Sequence, residues 1–229
     1  MNKGILYGVS VGPGDPELLT IKAMNILKQV KVIAAPRTGG KKTMALDIVK
    51  QVVDLSKKEI VYLDFEMKKD TETLTSSHRK IANCIEKYLQ DGIDTAMLNL
   101  GDASLYSSYS YIHDIVENDG FDAITIPGVT SFCAAAALSG KSLTVMDMPM
   151  TIIPGGLSDF EKMLEKKGTK VIMKPASAVG AIKELLNKKQ LLDKSVAVCD
   201  CGLDTQMVYE NIRELPENPG YFVTILVQN

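Results

Sequence analysis

Two kinds of segment alternate along the first part of the chain. Short apolar runs rich in β-branched residues predict buried strands, and longer segments with apolar positions three or four apart predict helices. The first predicted strand begins at Ile5, and four more are predicted over 32–37, 59–65, 95–100 and 123–126. The predicted helices cover 17–29, 41–53, 73–89, 107–118 and 132–138. Strict alternation of strand and helix predicts a parallel sheet with helices on both faces.

The pattern changes between 139 and 149, where neither period is clear. Beyond it we expect strands over 151–153, 171–173, 196–199, 206–209 and 222–227, with helices over 158–166 and 178–186. Consecutive strands near the end indicate a mixed sheet with antiparallel members. We therefore predict two α/β domains, 1–120 and 121–229, with a boundary between 115 and 150 and a ligand cleft between them.

The first strand ends in a loop that neither strand nor helix tolerates, Gly12-Pro13-Gly14-Asp15-Pro16. We expect Asp15 to cap a helix that starts at Glu17, with Pro16 in its first turn. Such a loop presents backbone groups to a ligand, although a tight turn with no ligand would look the same. A nucleotide phosphate is disfavoured, because no Gly-Lys-Ser/Thr follows and the third position of a G-x-G-x-x-G spacing falls on Glu17.

Two further loops follow predicted strands and share the same small residues. Residues 101–106 read Gly-Asp-Ala-Ser-Leu-Tyr, and residues 127–131 read Pro-Gly-Val-Thr-Ser, with Ser131 expected to cap the next helix. The carboxyl ends of parallel strands lie along one sheet edge, where ligands bind in open α/β folds. The sequence therefore predicts a small-molecule site built from three backbone-rich loops.

Composition narrows the class of ligand. A formal net charge of −2 over 229 residues argues against nucleic acid, and no apolar run reaches the length of a membrane span. The four cysteines show no metal-site spacing, and only two histidines are present, so no protein-bound metal is expected. Free thiols of this kind are typical of a cytoplasmic protein.

The three loop stretches together resemble one family. Val-Gly-Pro-Gly-Asp-Pro-Glu-Leu-Leu-Thr (11–20), Gly-Asp-x-x-Leu-Tyr (101–106) and Pro-Gly-Val-Thr-Ser (127–131) match the signatures of the tetrapyrrole methylases, in order and at family spacing. Residues 63–70 and 106–111 further resemble the branch that methylates precorrin-2 at C20. Two positions depart from the pattern, because Ala103 and Glu66 stand where prolines are common.

The resemblance implies transfer of a methyl group from S-adenosylmethionine to C20 of precorrin-2 or cobalt-factor II, on the route to cobalamin. It also implies a cofactor bound in the cleft between two domains, and a homodimer. Whether the ring already holds cobalt stays open. Two alternatives also stay open: methylation of uroporphyrinogen III or diphthine by the same fold, and a non-catalytic relative that binds ligand.

Site residues follow by position in the matching motifs. The implied cofactor contacts are Pro13, Leu100, Gly101, Asp102, Leu105, Thr130, Ser131, Met173 and Gly202. Asp102 is the candidate general base or electrostatic partner of the sulfonium, although it could equally cap the following helix. Tyr106 is a second catalytic candidate, through a hydrogen bond to substrate, or simply packs at a helix start. Arg37 is the candidate for binding the substrate's carboxylates.

Overall fold

The computed structural model describes residues 2–37, 43–65, 70–175 and 178–228. The chain separates into two compact units, Met1–Thr130 and Ser131–Asn229. The start of the helix predicted over 41–53 and part of the 63–70 stretch fall outside the described residues. The fifth strand pairs within the first unit, so the division of the chain comes after that strand and its loop.

The first unit is a parallel sheet of five strands in the order β3-β2-β4-β1-β5. Its strands are β1 Ile5–Ser10, β2 Val32–Arg37, β3 Glu59–Asp64, β4 Thr95–Asn99 and β5 Asp122–Ile126. Its helices are α1 Ile21–Gln29, α2 Met44–Val49, α3 Thr71–Gln90 and α4 Tyr109–Asn118. The predicted parallel α/β architecture is confirmed.

Two separate cores cover the two faces of this sheet. Leu27 of α1 and Leu46 of α2 belong to one core, and Ile85 of α3 and Ile112 of α4 belong to the other. A strand covered on both faces is expected to be apolar throughout rather than alternating. All residues of β4 are accordingly buried, and its centre, 96–98, is the apolar run that indicated a strand.

The predicted start of the first helix was wrong. Asp15 does accept a hydrogen bond from the Glu17 N–H at 2.8 Å, but it caps only a short 3₁₀ turn over Pro16–Leu18. Leu19 then turns to an extended conformation as its side chain enters the core, which ends the turn. Helix α1 begins afresh at Ile21, where the Thr20 hydroxyl accepts from the Ala23 N–H at 3.1 Å.

The second unit is a mixed sheet in the order β6-β7-β10-β8-β9. Its strands are β6 Met150–Pro154, β7 Thr169–Met173, β8 Ser195–Cys199, β9 Met207–Tyr209 and β10 Val223–Val227. Its helices are α5 Ser131–Leu138, α6 Phe160–Glu165 and α7 Val179–Lys188. Among these five described strands, β6 and β7 pair in parallel and the other neighbours pair antiparallel, so the predicted mixed sheet is confirmed. Ser131 is the first residue of α5 and not its cap, one position away from the prediction.

Candidate active site

The carboxyl ends of β1 and β4 are where the first unit would bind a ligand. These strands are neighbours, yet the chain leaves β1 towards β2 on one side and leaves β4 towards β5 on the other. The connecting helices α1 and α4 pack on opposite faces of the sheet. A switch of this kind opens a crevice at the carboxyl edge, and ligands of open α/β sheets bind there.

Two glycines join the first two loops at this switch point. The Gly12 N–H donates to the Gly101 carbonyl at 3.2 Å, and the Gly101 N–H donates back to the Gly12 carbonyl at 2.7 Å. Both residues have positive φ angles, +76° and +71°, which residues with a side chain rarely adopt. A Cβ on Gly101 would meet nothing within 4 Å, so its backbone faces open space that a ligand can approach closely.

Ser10 connects the ends of three strands, and sequence reasoning missed it. Its side chain is fully buried. The hydroxyl donates to the Ile126 carbonyl at 2.7 Å and accepts from the Ala103 N–H at 2.8 Å. The last residue of β1 therefore holds the loop after β4 and the end of β5. The sequence feature that could have indicated this role is a single hydroxyl at the end of an otherwise apolar strand.

Replacing Ser10 with alanine is expected to destabilise the first unit by about 1–3 kcal/mol. The change leaves a buried N–H at Ala103 and a buried carbonyl at Ile126 without their partner. Urea unfolding measures the loss. Ser110→Ala is the control, because its hydroxyl is exposed and donates to the carbonyl of Ser107, three residues away. Equal unfolding midpoints for the two variants would contradict the structural role of Ser10.

Asp102 ties the second loop to the third. Its Oδ1 accepts from the Ser104 N–H at 2.8 Å and also from the Ser104 hydroxyl, and its Oδ2 accepts from the Gly128 N–H at 2.7 Å. Burial alone would raise the pKa of this carboxyl, but the hydrogen bonds from Gly128 and Ser104 outweigh it, so the pKa lies below its ordinary value. The group is therefore an ionised carboxylate with both oxygens already engaged.

The residues at this edge fit a ligand with polar atoms. The Thr130 hydroxyl is buried and has no hydrogen-bond partner within the described residues. A buried hydroxyl without a partner is costly, and a bound ligand would supply the missing bond. Thr130 belongs to the third loop, which Asp102 holds through the Gly128 N–H. Six of the implied cofactor residues belong to the first unit, and all of them lie in the loops at this edge. They are Pro13, Leu100, Gly101, Asp102, Leu105 and Thr130.

The other implied cofactor residues belong to the second unit. Ser131 begins α5, Met173 ends β7, and Gly202, with a φ of +80°, follows β8. Both strands run antiparallel to β10 and flank it, so their carboxyl ends lie along the same edge of that sheet. The Gly202 N–H donates to Gln206 Oε1 at 2.8 Å, which fixes the turn after β8.

Arg37 lies at the carboxyl edge of the first sheet, but its charge is already paired. Its Nε and Nη2 donate to the two carboxylate oxygens of Asp64, both at 2.7 Å, and the guanidinium lies 5.1 Å from the centre of the Tyr62 ring. A bidentate pair fixes the guanidinium plane. The predicted role of Arg37 in binding substrate stays a prediction.

Tyr106 lies at the end of the second loop and is 45% exposed. Its φ of +50° is unusual for a residue with a large side chain. Unusual backbone conformations of this kind often occur at functional sites, where the surrounding structure holds them in place. The predicted catalytic role of Tyr106 stays a prediction.

Two kinds of feature were sought in the part of the chain that the structure describes. Within those residues, no group of three or more His, Cys, Asp or Glu side chains could hold a metal ion. No helix among them is both long and apolar enough to cross a bilayer.

Comparison with known proteins identifies the family. Residues 5–216 match the model of the Tetrapyrrole (Corrin/Porphyrin) Methylases. The chain is 38% identical over 177 residues to a "probable cobalt-precorrin-2 C(20)-methyltransferase" of Methanocaldococcus jannaschii, covering 76% of this chain and 74% of that protein. It is 29% identical to a precorrin-2 C(20)-methyltransferase of a Sinorhizobium species, covering 98% and 95% of the two chains.

A solved structure shares the fold. Uroporphyrin-III C-methyltransferase of Thermus thermophilus, in complex with S-adenosylhomocysteine, superposes with a TM-score of 0.73 at 21% identity, covering 99% of this chain and 98% of that one. The shared fold extends over the whole chain, and the family model spans both units. The chain described here therefore belongs to the tetrapyrrole (corrin/porphyrin) methylases.

Proposed function

We propose that this protein transfers a methyl group from S-adenosylmethionine to C20 of precorrin-2, or of its cobalt form, in cobalamin biosynthesis. The observation that carries the proposal is the rigid rim of three loops at the carboxyl edge of the first sheet. Ser10, the Gly12–Gly101 pair and Asp102 hold these loops by hydrogen bonds. The 38% identity to a relative named for the same reaction supports the choice of substrate.

The chemistry needs little from the protein beyond position. S-adenosylmethionine, when bound, supplies a sulfonium methyl group that is electrophilic without further activation. The chain therefore needs no activated serine or cysteine. Pro13, Gly101 and Thr130 would hold the cofactor from the first unit, and Met173 and Gly202 from the second. Holding two reactants in line is worth up to about 7–11 kcal/mol of the barrier.

Asp102 serves this proposal better as a fixed negative charge than as a base. A general base works best with a pKa near the working pH and a free lone pair. The pKa of the Asp102 carboxyl is lowered, and its oxygens already accept from Ser104 and Gly128. An ionised carboxylate held in the loop favours a cationic ligand at the rim without any reorganisation.

The alternatives that the sequence left open are less well supported. Methylation of uroporphyrinogen III rests on a likeness of 21% identity, which carries the fold and not the substrate. Diphthine methylation has no support beyond the fold. A non-catalytic role is disfavoured, because the hydrogen bonds that shape the loops are all in place.

We further propose that the protein is a homodimer in the cytoplasm, as the family resemblance implies. Size-exclusion chromatography with light scattering tests the dimer.

The two relatives do not decide whether the substrate ring holds cobalt, because one is named for cobalt-precorrin-2 and the other for precorrin-2.

The proposed function is tested by offering three rings separately with S-adenosylmethionine: precorrin-2, its cobalt form and uroporphyrinogen III. We expect one added methyl group, by mass spectrometry, on at least one precorrin-2 form and none on uroporphyrinogen III. Calorimetric titration with S-adenosylhomocysteine accompanies the assay. Methylation of uroporphyrinogen III alone would contradict the substrate, and failure to bind S-adenosylhomocysteine would leave only the non-catalytic alternative.

A further inference from the structure

The rings of Phe65 and Tyr111, from separate segments of the first unit, both contact the imidazole of His78. The His78 and Tyr111 rings lie nearly parallel, with centroids 4.7 Å apart and an interplanar angle of 12°. Phe65 contacts the same imidazole at a centroid distance of 6.1 Å, tilted by 56°. Burial lowers the pKa of His78, so at neutral pH the imidazole is an uncharged ring that stacks like its neighbours. We call these three residues the aromatic stack.

The aromatic stack ends in an open ring. Tyr111 stacks on His78, yet its side chain is 58% exposed. A large aromatic group exposed to this degree at one end of an ordered stack offers a surface to a further ring. Offset stacking with centroids about 4.5–7 Å apart is the arrangement that aromatic groups prefer.

The aromatic stack lies towards the edge that carries the three loops. Phe65 directly follows the carboxyl end of β3, and its N–H donates to the Arg37 carbonyl at 3.2 Å. Tyr111 is in the first turn of α4, the helix that the second loop leads into. The backbone of Arg37 at the end of β2 thus fixes Phe65 at the carboxyl edge of this sheet.

The aromatic stack also joins two stretches that are distant in sequence. Residues 63–70 and 106–111 are the two stretches that resemble the precorrin-2 branch of the family. Their spacing and composition do not indicate what role the two stretches share. Phe65 belongs to the first stretch and Tyr111 to the second, and both pack on His78. One residue of each stretch therefore packs on His78, outside the glycine loops at 12–16 and 127–131.

We propose that Phe65, His78 and Tyr111 form a stacking platform for the tetrapyrrole ring and contribute to the choice of precorrin-2 over other rings. This inference rests on the proposed function. The tetrapyrrole is a broad ring with conjugated segments, and the face of such a ring matches an open aromatic side chain. The adenine of the cofactor is a less suitable occupant, because the residues implied for the cofactor do not include the stack.

Tyr111→Ala tests the platform directly. We expect the KM for the preferred precorrin-2 form to rise about tenfold, while kcat changes less than about twofold. The affinity for S-adenosylhomocysteine is expected to stay unchanged. Tyr111→Phe keeps the ring and is expected to restore the KM. Tyr221→Ala is the matched control, because Tyr221 is 49% exposed and packs edge-on against Phe222 with centroids 5.0 Å apart.

Direct binding separates failure of the platform from failure of the proposed function. Uroporphyrin III, a stable ring with carboxylates, is titrated into the wild type and into folded Tyr111→Ala, and its absorbance is followed. Weaker binding to the variant supports the platform even if no ring is methylated. Equal binding of uroporphyrin III by both proteins, together with an unchanged KM, would overturn the platform. An equal loss of affinity for uroporphyrin III and for S-adenosylhomocysteine would also overturn it, because the stack would then belong to the cofactor site. His78→Leu removes the ring on which Tyr111 stacks and is expected to shift the KM in the same direction.

Discussion

A methyl group added at Gly128 is expected to destabilise the first unit by about 2–3 kcal/mol and to remove most of the methyltransferase activity. The Cβ of an alanine there would lie 2.5 Å from the Cβ of Ser10 and 2.9 Å from the carbonyl oxygen of Gly101. Neither atom is the end of a flexible side chain, so the loops themselves must move apart. The Gly128 N–H would then lose its bond to Asp102, and the three loops would lose their common geometry.

Thermal unfolding and calorimetry measure the effect of Gly128→Ala. The melting temperature is expected to fall by about 4–12 °C, at about 2–4 °C per kcal/mol for a chain of this size. The affinity for S-adenosylhomocysteine is expected to fall at least about tenfold. Gly180→Ala in α7 is the control, since its Cβ would only make ordinary contact with Glu217 at 3.9 Å. A Gly128→Ala protein with wild-type stability and affinity would show that the close approach has no role.

Replacing Asp102 with asparagine is expected to lower kcat/KM by about 10- to 100-fold, because an amide cannot accept all the hydrogen bonds that the carboxylate accepts. A donor left facing a donor at this partly buried carboxylate costs about 1–3 kcal/mol. Loss of a general base would instead cost about 10²–10⁴-fold. Because these ranges meet, the pH dependence decides between the two roles.

The pH–rate profile between pH 6 and 9 is expected to keep the same shape in the wild type and in Asp102→Asn. The lowered pKa of the Asp102 carboxyl keeps it ionised across this range. Its contribution to stability is present above the unfolded pKa of about 3.9 and is lost as the pH falls through the folded pKa. The stability difference between the two proteins should therefore shrink in acid. A limb of the profile that disappears in the variant would assign Asp102 the role of base.

Asp54→Asn is a matched control for this experiment. Asp54 accepts from the Ser56 N–H at 2.9 Å, in the same Asp-x-Ser arrangement as Asp102 and Ser104. Hydrogen bonds from Ser56 lower the pKa of Asp54 as well. It lacks the second bond, the one that Asp102 makes to Gly128. Equal losses of activity in both variants would mean that the tie between loops is unimportant.

The strands and the loops at their ends could be predicted because each depends on neighbouring residues. An apolar run covered on both faces, such as β4, is visible without knowing its partners. The loops at Gly12 and Gly101 could be predicted because glycine and proline restrict the backbone locally. The order of strands and the antiparallel pairing of β10 could not be read in the same way, since they depend on contacts far along the chain.

The hydrogen bonds that shape the candidate site were beyond prediction for the same reason. Ser10 bonds to residues 93 and 116 positions away, and the bond from Gly128 to Asp102 spans 26. The start of α1 was mistaken because Asp15 and Thr20 both carry a cap signal, and only the burial of Leu19 decides between them. The pairing of Arg37 with Asp64 follows from the register of β2 with β3.

The most direct measurement follows the transferred carbon itself. The protein is incubated with S-adenosylmethionine labelled with ¹³C in the methyl group and with the preferred form of precorrin-2, and the product is examined by NMR. The proposed function predicts a single labelled methyl group attached to C20 of the ring. Label on any other ring carbon, or an unlabelled ring recovered beside a protein that binds S-adenosylhomocysteine, would contradict it.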